Sequence, residues 1–237
     1  MFKTIQSQDA YTIYNEKLID DTSECFEPLY WQNKQKVIGS AKGRGTTWFI
    51  QLSTLQAALR HYRRGGLFGK IISDTYFFTG YQKSRSIEEF HLLNHLQGQG
   101  VNVPKPIAAN VKRCGFLYKA NILSEKIPEA TDLVDILQQR QLTKDEYTRI
   151  GQEIKRLHQA QVNHTDLNIH NILLDTNDRV WIIDFDKCYQ QAGDNWKEDN
   201  LQRLLRSFRK ELKKRSIHWN EQDWQSLIAG YQSLNIQ

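Results

Sequence analysis

The sequence predicts an α+β chain of two lobes, a small β-rich N-terminal lobe and a mostly helical C-terminal lobe. Three observations carry that expectation. Through residue 124 the chain is cut by glycine and proline into short runs of β-formers, with one long helical period at Ser86–Gln97. From Asp132 onward, apolar residues recur every three or four positions along extended stretches. Within that second half, His164–Asp186 (HTDLNIHNILLDTNDRVWIIDFD) carries two short apolar runs around a turn-rich DTND, the pattern of a β-hairpin with polar ends. The expected boundaries are an N-lobe over 1–124, a hinge over 125–130 and a C-lobe over 131–237.

Composition bounds the function. With 237 residues, 39% apolar and 25% charged, the chain can bury a sizeable core and looks like an ordinary globular enzyme. A net charge of +5 and a pI near 9.0 point to an acidic partner. Nucleic acid, an anionic membrane and a phosphorylated substrate all qualify on charge. No nucleic-acid motif or aromatic-basic interleaving accompanies it, so nucleic acid is not expected. Cys25, Cys114 and Cys188 are odd in number and far apart, which suits reduced thiols better than disulfides or zinc. The first residues, MFKTIQSQDAYTIYNEKL, lack a signal-peptide core, and no run reaches membrane-span length. The protein is expected on the cytoplasmic side.

Taken in order, Glu27–Asn33 reads as a short helix with Pro28 near its start, where a missing N–H does little harm. VIGSAKGRGTTWFIQL follows, a glycine-punctuated turn leading into a strand at Thr47–Leu52. Such a turn lets backbone N–H groups approach phosphates, with Gly43 and Gly45 giving the backbone room and Lys42 and Arg44 adding charge. Its spacing matches neither G-x-G-x-x-G nor a Walker A motif. LQAALRHYRRGG then makes a basic strand. Ser86–Gln97 is an amphipathic helix with Ile87, Phe90 and Leu93 on one face, Ser86 as N-cap and Gly98 or Gly100 as its end. Two strands around a turn follow, and periodicity is lost from Ser124 to Ala130.

The second half opens with a short helix from Asp132. Thr143 and Glu146 then form a capping box ahead of a longer helix whose Tyr147, Ile150, Ile154 and Leu157 share a face. His158, near its end, reads as a packed histidine. Beyond Asp186, NLQRLLRSFRKELKKR places Leu201, Leu204, Leu205, Phe208 and Leu212 on one stripe. Its other face is basic, with only Glu211 opposing seven cations. The last helix packs through Trp224, Leu227, Ile228 and Tyr231.

The chemistry concentrates in the hairpin. Asp166 and Asn171 match H-x-D-L-x-x-x-N, the catalytic-loop pattern of protein kinases, and Asp184 opens a D-F-x triplet after an apolar run. A carboxylate beside a substrate hydroxyl can orient it and accept its proton. An amide oxygen and a second carboxylate can hold Mg²⁺ against nucleotide phosphates. In that pattern a strand lysine grips the phosphates and pairs with a helix glutamate. Here Arg60 occupies the lysine's place, with Lys70 as the alternative, and Glu89 or its neighbour Glu88 is the acid. Main-chain groups of the hinge segment, Ser124, Glu125 and Ile127 among them, are the expected nucleotide contact.

The ordered set resembles a protein-kinase-like phosphotransferase reduced to its essentials. More narrowly, GRGTTWF, LRHYRRGG, VPKPIAA, HTDLNIHNILLD, IDFDK and NLQRLLRSFRK are similar to the 3-deoxy-D-manno-octulosonic acid (Kdo) kinases of Gram-negative bacteria, which belong with the lipopolysaccharide-core heptose kinases. The resemblance implies ATP-dependent phosphorylation of the 4-hydroxyl of Kdo on a lipid A precursor at the cytoplasmic face of the inner membrane. It implies Asp166 as catalytic base, Asn171 and Asp184 as metal ligands, ATP and Mg²⁺ as cofactors, and a glycolipid and an anionic membrane surface as partners. Asp186 replaces the glycine of D-F-G and no A-P-E motif follows, which argues against a regulated protein kinase and agrees with a small-molecule or glycolipid kinase. The alternatives are a heptose kinase, another small-molecule kinase, or an inactive nucleotide-binding or membrane-docking module.

Overall fold

The computed structural model describes residues 1–43, 45–64 and 74–233. Arg44 and Lys70 lie outside the described residues. The chain divides into two compact units, Met1–Asn94 with Lys105–Lys126, and His95–Pro104 with Ile127–Gln237.

The first unit is built on an antiparallel sheet. Its strands are β1 (Phe2–Gln6), β2 (Ala10–Asn15), β3 (Val37–Lys42), β4 (Thr46–Gln51), β5 (Gln56–His61), β6 (Tyr76–Phe77), β7 (Pro106–Cys114) and β8 (Leu117–Glu125). The order is β1-β2-β7-β8-β5-β4-β3, with β6 alongside β8. In β7, residues 106–111 are buried on both faces, as in a central strand, and the run is apolar except for Asn110, whose Oδ1 accepts from Asn121 at 2.9 Å. The short helix α1 (Pro28–Asn33) begins at its proline and buries Trp31, whose indole N–H donates to the Cys25 carbonyl at 2.8 Å. Trp31 joins Phe26, Ile50, Leu52, Leu59, Ile107 and Leu123 in one apolar cluster.

Helix α2 (Arg85–Gly98) buries Ile87, Phe90, Leu93 and Leu96, as their spacing predicts. Its start differs from the expected cap. The Ser84 carbonyl accepts the first helical N–H groups, from Ile87 and Glu88, while Ser86, two residues on in the first turn, is fully buried and donates its hydroxyl to the Asn110 carbonyl at 2.9 Å. A serine inside a helix is tolerated where its hydroxyl finds a partner, and this one ties α2 to β7. Strand β8 runs on through Ser124 and Glu125, because β5 and β7 flank this end; the register pairs Ser124 with Ala58 and with Pro106. The loss of side-chain periodicity there did not reveal a strand held from both sides.

The second unit comprises β9 (Thr131–Asp132), α3 (Leu133–Gln139), α4 (Lys144–Gln159), β10 (Val162–Asn163), β11 (Ile172–Leu174), β12 (Val180–Ile182), β13 (Tyr189–Gln190), α5 (Lys197–Arg215) and α6 (Glu221–Ser233). Asp132 caps α3 through the N–H groups of Val134 and Asp135, and the Thr143–Glu146 capping box starts α4. Helices α4 and α6 approach at two glycines. A Cβ on Gly151 would lie 2.0 Å from the Leu227 carbonyl oxygen, and one on Gly230 would lie 2.2 Å from that of Thr148. Around this contact Phe208 of α5 stacks on Trp219 at 5.3 Å and meets Trp224 edge-on.

Helix α5 corrects the expected stripe at one turn. Leu201, Leu204, Leu205 and Phe208 are buried, but Glu211 continues the buried face and Leu212 is exposed. Glu211 takes the inward place because Arg215, at i+4, reaches its carboxylate at 3.0 Å and His170 approaches at 3.5 Å. Cys25 and Cys188 are buried thiols, whereas Cys114 is exposed at the end of β7.

Candidate active site

In the second unit, helix α4 delivers the chain through β10 to His164, which is buried. Its main-chain N–H donates to Asn200 Oδ1 at 3.1 Å, and Asn200 in turn donates to Asn163 Oδ1 at 2.9 Å. The imidazole Nε2 lies 3.0 Å from the Ile183 carbonyl, which can only accept, so Nε2 carries the proton. Burial pushes the His164 pKa down and keeps the ring neutral; the Ile183 carbonyl and the charges of Asp184 and Asp166 oppose that only in part. The ring also packs on Phe185, with centroids 4.9 Å apart. One histidine thus joins the start of the H-x-D loop to the residue before Asp184.

Asp166 follows on an exposed turn. Its backbone carbonyl accepts from the side-chain amides of Asn168, at 2.9 Å, and Asn171, at 3.0 Å. The loop closes in a single 3₁₀ turn, Ile169–Asn171, before β11. Because Asn171 Nδ2 is committed to that carbonyl, its Oδ1 remains as an oxygen donor. The hairpin pairs Ile172 with Ile182, and the Ile183 N–H donates to the Asn171 carbonyl at 3.0 Å, which brings Asn171 next to the strand end that carries Asp184. Asp184 sits at φ +62°, a left-handed backbone that a non-glycine residue adopts only where its surroundings impose it, and such residues concentrate at functional sites. Asp166, Asn171 and Asp184 are thereby gathered on one loop and one hairpin. Asn171 and Asp184 supply hard oxygen donors of the kind Mg²⁺ takes from a protein while keeping water and phosphate oxygens in its other positions. That donor set fits the ion.

Two residues that sequence reasoning missed hold this hairpin. Asn102, in the segment after α2, donates its main-chain N–H to Glu153 Oε1 at 2.6 Å. Its side-chain amide donates to Glu153 Oε2 at 3.3 Å and to the Val180 carbonyl at 3.0 Å, and its carbonyl accepts from Ile182 at 3.0 Å. Glu153 is buried on the apolar face of α4 and is met by Arg156 at 2.5 Å. Burial pushes its carboxyl pKa up, opposed by the Asn102 N–H and the Arg156 guanidinium. The signal was legible as a charged residue inside the Ile150–Ile154–Leu157 stripe.

In the first unit, Arg60 lies near the end of β5, and one of its terminal nitrogens meets Glu89 Oε1 and Oε2 at 2.5 and 2.6 Å. Glu89 is buried, whereas Glu88 is exposed, so Glu89 is the glutamate that Arg60 reaches. The buried Tyr62 donates its hydroxyl to Glu89 Oε2 in a short hydrogen bond, and Arg60 lies over the Tyr62 ring at 4.9 Å. Tyr62 was not singled out from the sequence, although it shares a strand face with Arg60 at a spacing of two. Lys42 ends β3, and the Gly43 N–H donates to the Gly45 carbonyl at 2.8 Å across the turn. At the other end of β8 the N–H groups of Glu125 and Lys126 are already donated, to the carbonyls of Lys105 and Gln56. Ser124 is paired within the sheet and Ile127 is buried.

The chain was compared with known families and proteins. The family model described as "Lipopolysaccharide kinase (Kdo/WaaP) family" matches residues 29–231. The 3-deoxy-D-manno-octulosonic acid kinase of Vibrio cholerae is 56% identical over 232 residues, covering 98% of each chain. That of Vibrio parahaemolyticus is 57% identical over 237 residues, covering 100% of each, and that of Haemophilus influenzae is 47% identical, covering 95% of this chain and 98% of the other. Among solved structures, the Cydia pomonella granulovirus kinase overlaps 67% of this chain and 54% of its own at a TM-score of 0.47 and 13% identity.

Proposed function

This chain belongs to the lipopolysaccharide kinase (Kdo/WaaP) family, and from that premise we propose that it transfers the γ-phosphoryl group of ATP to the 4-hydroxyl of Kdo on a lipid A precursor. The observation that carries the reading is the gathering of Asp166, Asn171 and Asp184 by the His164–Ile183 and Asn171–Ile183 hydrogen bonds. Near-full-length identity to Kdo kinases supports the choice of sugar.

In this reading Asp166 accepts a hydrogen bond from the sugar hydroxyl, aims its lone pair at the γ-phosphorus and takes the proton as the new O–P bond forms and the bond to ADP breaks. A positioned base of this kind is worth about 10² to 10⁴ in rate. Asn171 and Asp184 hold Mg²⁺, which when bound neutralises charge on the phosphates. Arg60, fixed by Glu89 and Tyr62, grips phosphate oxygens, while Gly43 and Gly45 give the turn backbone room to approach them and Lys42 adds charge. A guanidinium suits that task because its planar fork meets two phosphate oxygens at once. We place Arg44, Ser124, Glu125 and Ile127 in the same nucleotide-binding role, with 1–124 and 131–237 as the nucleotide and catalytic lobes and 125–130 as the hinge.

Such a substrate resides in a membrane, and the excess of cations favours an anionic surface, so we propose peripheral attachment to the cytoplasmic face of the inner membrane. Among the described residues no helix is long and apolar enough to cross a bilayer. The test is incubation with γ-labelled ATP and Kdo-lipid IVA, followed by mass analysis of the product. Label on Kdo O4 is expected. Label on a heptose core in its place moves the enzyme to the sister activity, and no label on either overturns the reading.

A further inference from the structure

Along α5, Arg203, Arg206, Lys210, Lys213 and Lys214 are all exposed. At 100° per residue they fall within about 100° of the helix circumference and run for roughly 17 Å. The outward-facing cations of α5 that have carboxylate partners lie outside this stripe: Arg209 bonds Glu221 at 2.8 and 2.9 Å, and Arg215 reaches the inward-turned Glu211. Among the described residues no carboxylate lies within ion-pair distance of the five.

A basic helix face is ordinarily a solvated one, and two features separate this stripe from that case. The single acid in the middle of the basic run, Glu211, is buried, so beyond Asp199, one turn ahead of Arg203, no carboxylate of α5 on this face offsets the charge. The spacing also sets like charges against each other at helical neighbours: Arg203 with Arg206, Arg206 with Lys210, and Lys210 with both Lys213 and Lys214. Such pairs weaken a helix, and one glutamate at position 210 would turn three of them into attractive ones. A face kept at the expense of its own helix has a use outside the fold. Its regular line of uncompensated cations is complementary to a plane of negative charge.

We propose that this stripe of α5 is the surface by which the protein docks on anionic lipid headgroups. The inference rests on the glycolipid-kinase reading for its partner and deepens it by naming the docking residues.

The experiment partitions the full-length protein between buffer at about 0.1 M salt, where charges separated by about 10 Å still interact, and sedimented vesicles. One set is phosphatidylcholine alone and the other is one-third phosphatidylglycerol. Wild type should prefer the anionic vesicles and be released by added salt. Each Lys or Arg near such a surface is worth about fivefold in partition. Lys210→Gln should therefore fall about fivefold and Lys210→Glu about 30-fold, with the thermal midpoint of Lys210→Glu equal to or above wild type. Equal binding by wild type and Lys210→Glu, or no preference for anionic vesicles, overturns the proposal. So does a loss on Lys210→Glu confined to a single-stranded oligonucleotide, which would make the stripe a nucleic-acid surface. Transfer from ATP to a Kdo saccharide without acyl chains serves as the separate arm and should be equal in wild type and both variants. Absence of transfer in wild type would sink the kinase reading and leave the vesicle result standing.

Discussion

A helix glycine replaced by alanine ordinarily stabilises, by up to about 1 kcal/mol, because the helix prefers alanine. Gly151→Ala should do the reverse. Its Cβ would sit 2.0 Å from the Leu227 carbonyl oxygen and 2.6 Å from the Tyr231 nitrogen, both backbone atoms of α6 that cannot rotate away. Restoring an ordinary carbon–oxygen contact moves α6 off α4 by about 1.4 Å, and a gap of even 1 Å forfeits a quarter to a half of each dispersion contact along the line. Overpacking of this kind costs about 1–3 kcal/mol, and with backbone on both sides the upper end applies. After the propensity gain, a net loss of about 2 kcal/mol or more remains. Urea unfolding of the variant beside wild type measures it. Gly98→Ala is the control: no atom lies within 4 Å of its added Cβ, so its midpoint should match or exceed wild type. Gly151→Ala with Gly230→Ala should lose less than the two single losses combined, because either one opens the same contact. A Gly151→Ala protein as stable as wild type would show that the two backbones do not meet as described, and the reasoning would fail.

Asp166→Asn keeps the shape of an exposed side chain and removes the base, so phosphoryl transfer should drop by about 10² to 10⁴ with an unchanged thermal midpoint; a drop under tenfold would remove Asp166 from that role. Tyr62→Phe deletes the hydroxyl that fixes Glu89 but keeps the ring under Arg60, and is expected to raise KM for ATP several-fold while leaving KM for the sugar acceptor alone. If both KM values move together, Tyr62 acts on the fold as a whole. Burial also drives the pKa of His158 down, to about 3, and that of His164 below its usual value. A histidine depressed in the folded state contributes stability that is complete above its unfolded pKa near 6.5 and is lost as pH falls towards the folded value, because the unfolded chain binds the proton first. His158 should therefore remove about 1.4 kcal/mol per pH unit below roughly pH 6, and His164 adds to the loss in the same direction. Urea titrations at pH 7, 6 and 5 (about one unit apart) on wild type and His158→Asn should differ in slope by that amount, and identical slopes would refute the burial argument.

The second half of the chain was the more legible. The H-x-D loop, turn and hairpin are contiguous, so local rules bring Asp166, Asn171 and Asp184 together without any knowledge of tertiary contacts. The capping box at Thr143 and the α2 stripe are equally local. What sequence did not disclose depends on partners far along the chain. Tyr62 acquires its purpose only when α2 brings Glu89 to β5, and Asn102 only when β12 and α4 converge on it. Glu211 and Leu212 exchanged places because Arg215, with His170 close by, makes an inward carboxylate tolerable, and hydrophobicity alone would choose the leucine. Ser86 read as the cap of α2, but the Asn110 carbonyl occupies its hydroxyl and the first helical N–H groups go to Ser84 instead.

The guanidinium of Arg60 also sets the chemical reactivity of the first unit. An ammonium in that place can lose its proton and become a nucleophile, which makes it a target for acetylation and for nucleotide analogues bearing amine-reactive groups. A guanidinium, which holds its proton far more tightly than an ammonium, does neither. The Arg60 side of its pairing with Glu89 therefore keeps its charge. Inhibitors or affinity labels designed around a strand lysine would find nothing to modify at Arg60, while planar anions able to use a two-pronged donor would find a better match there than an amine provides.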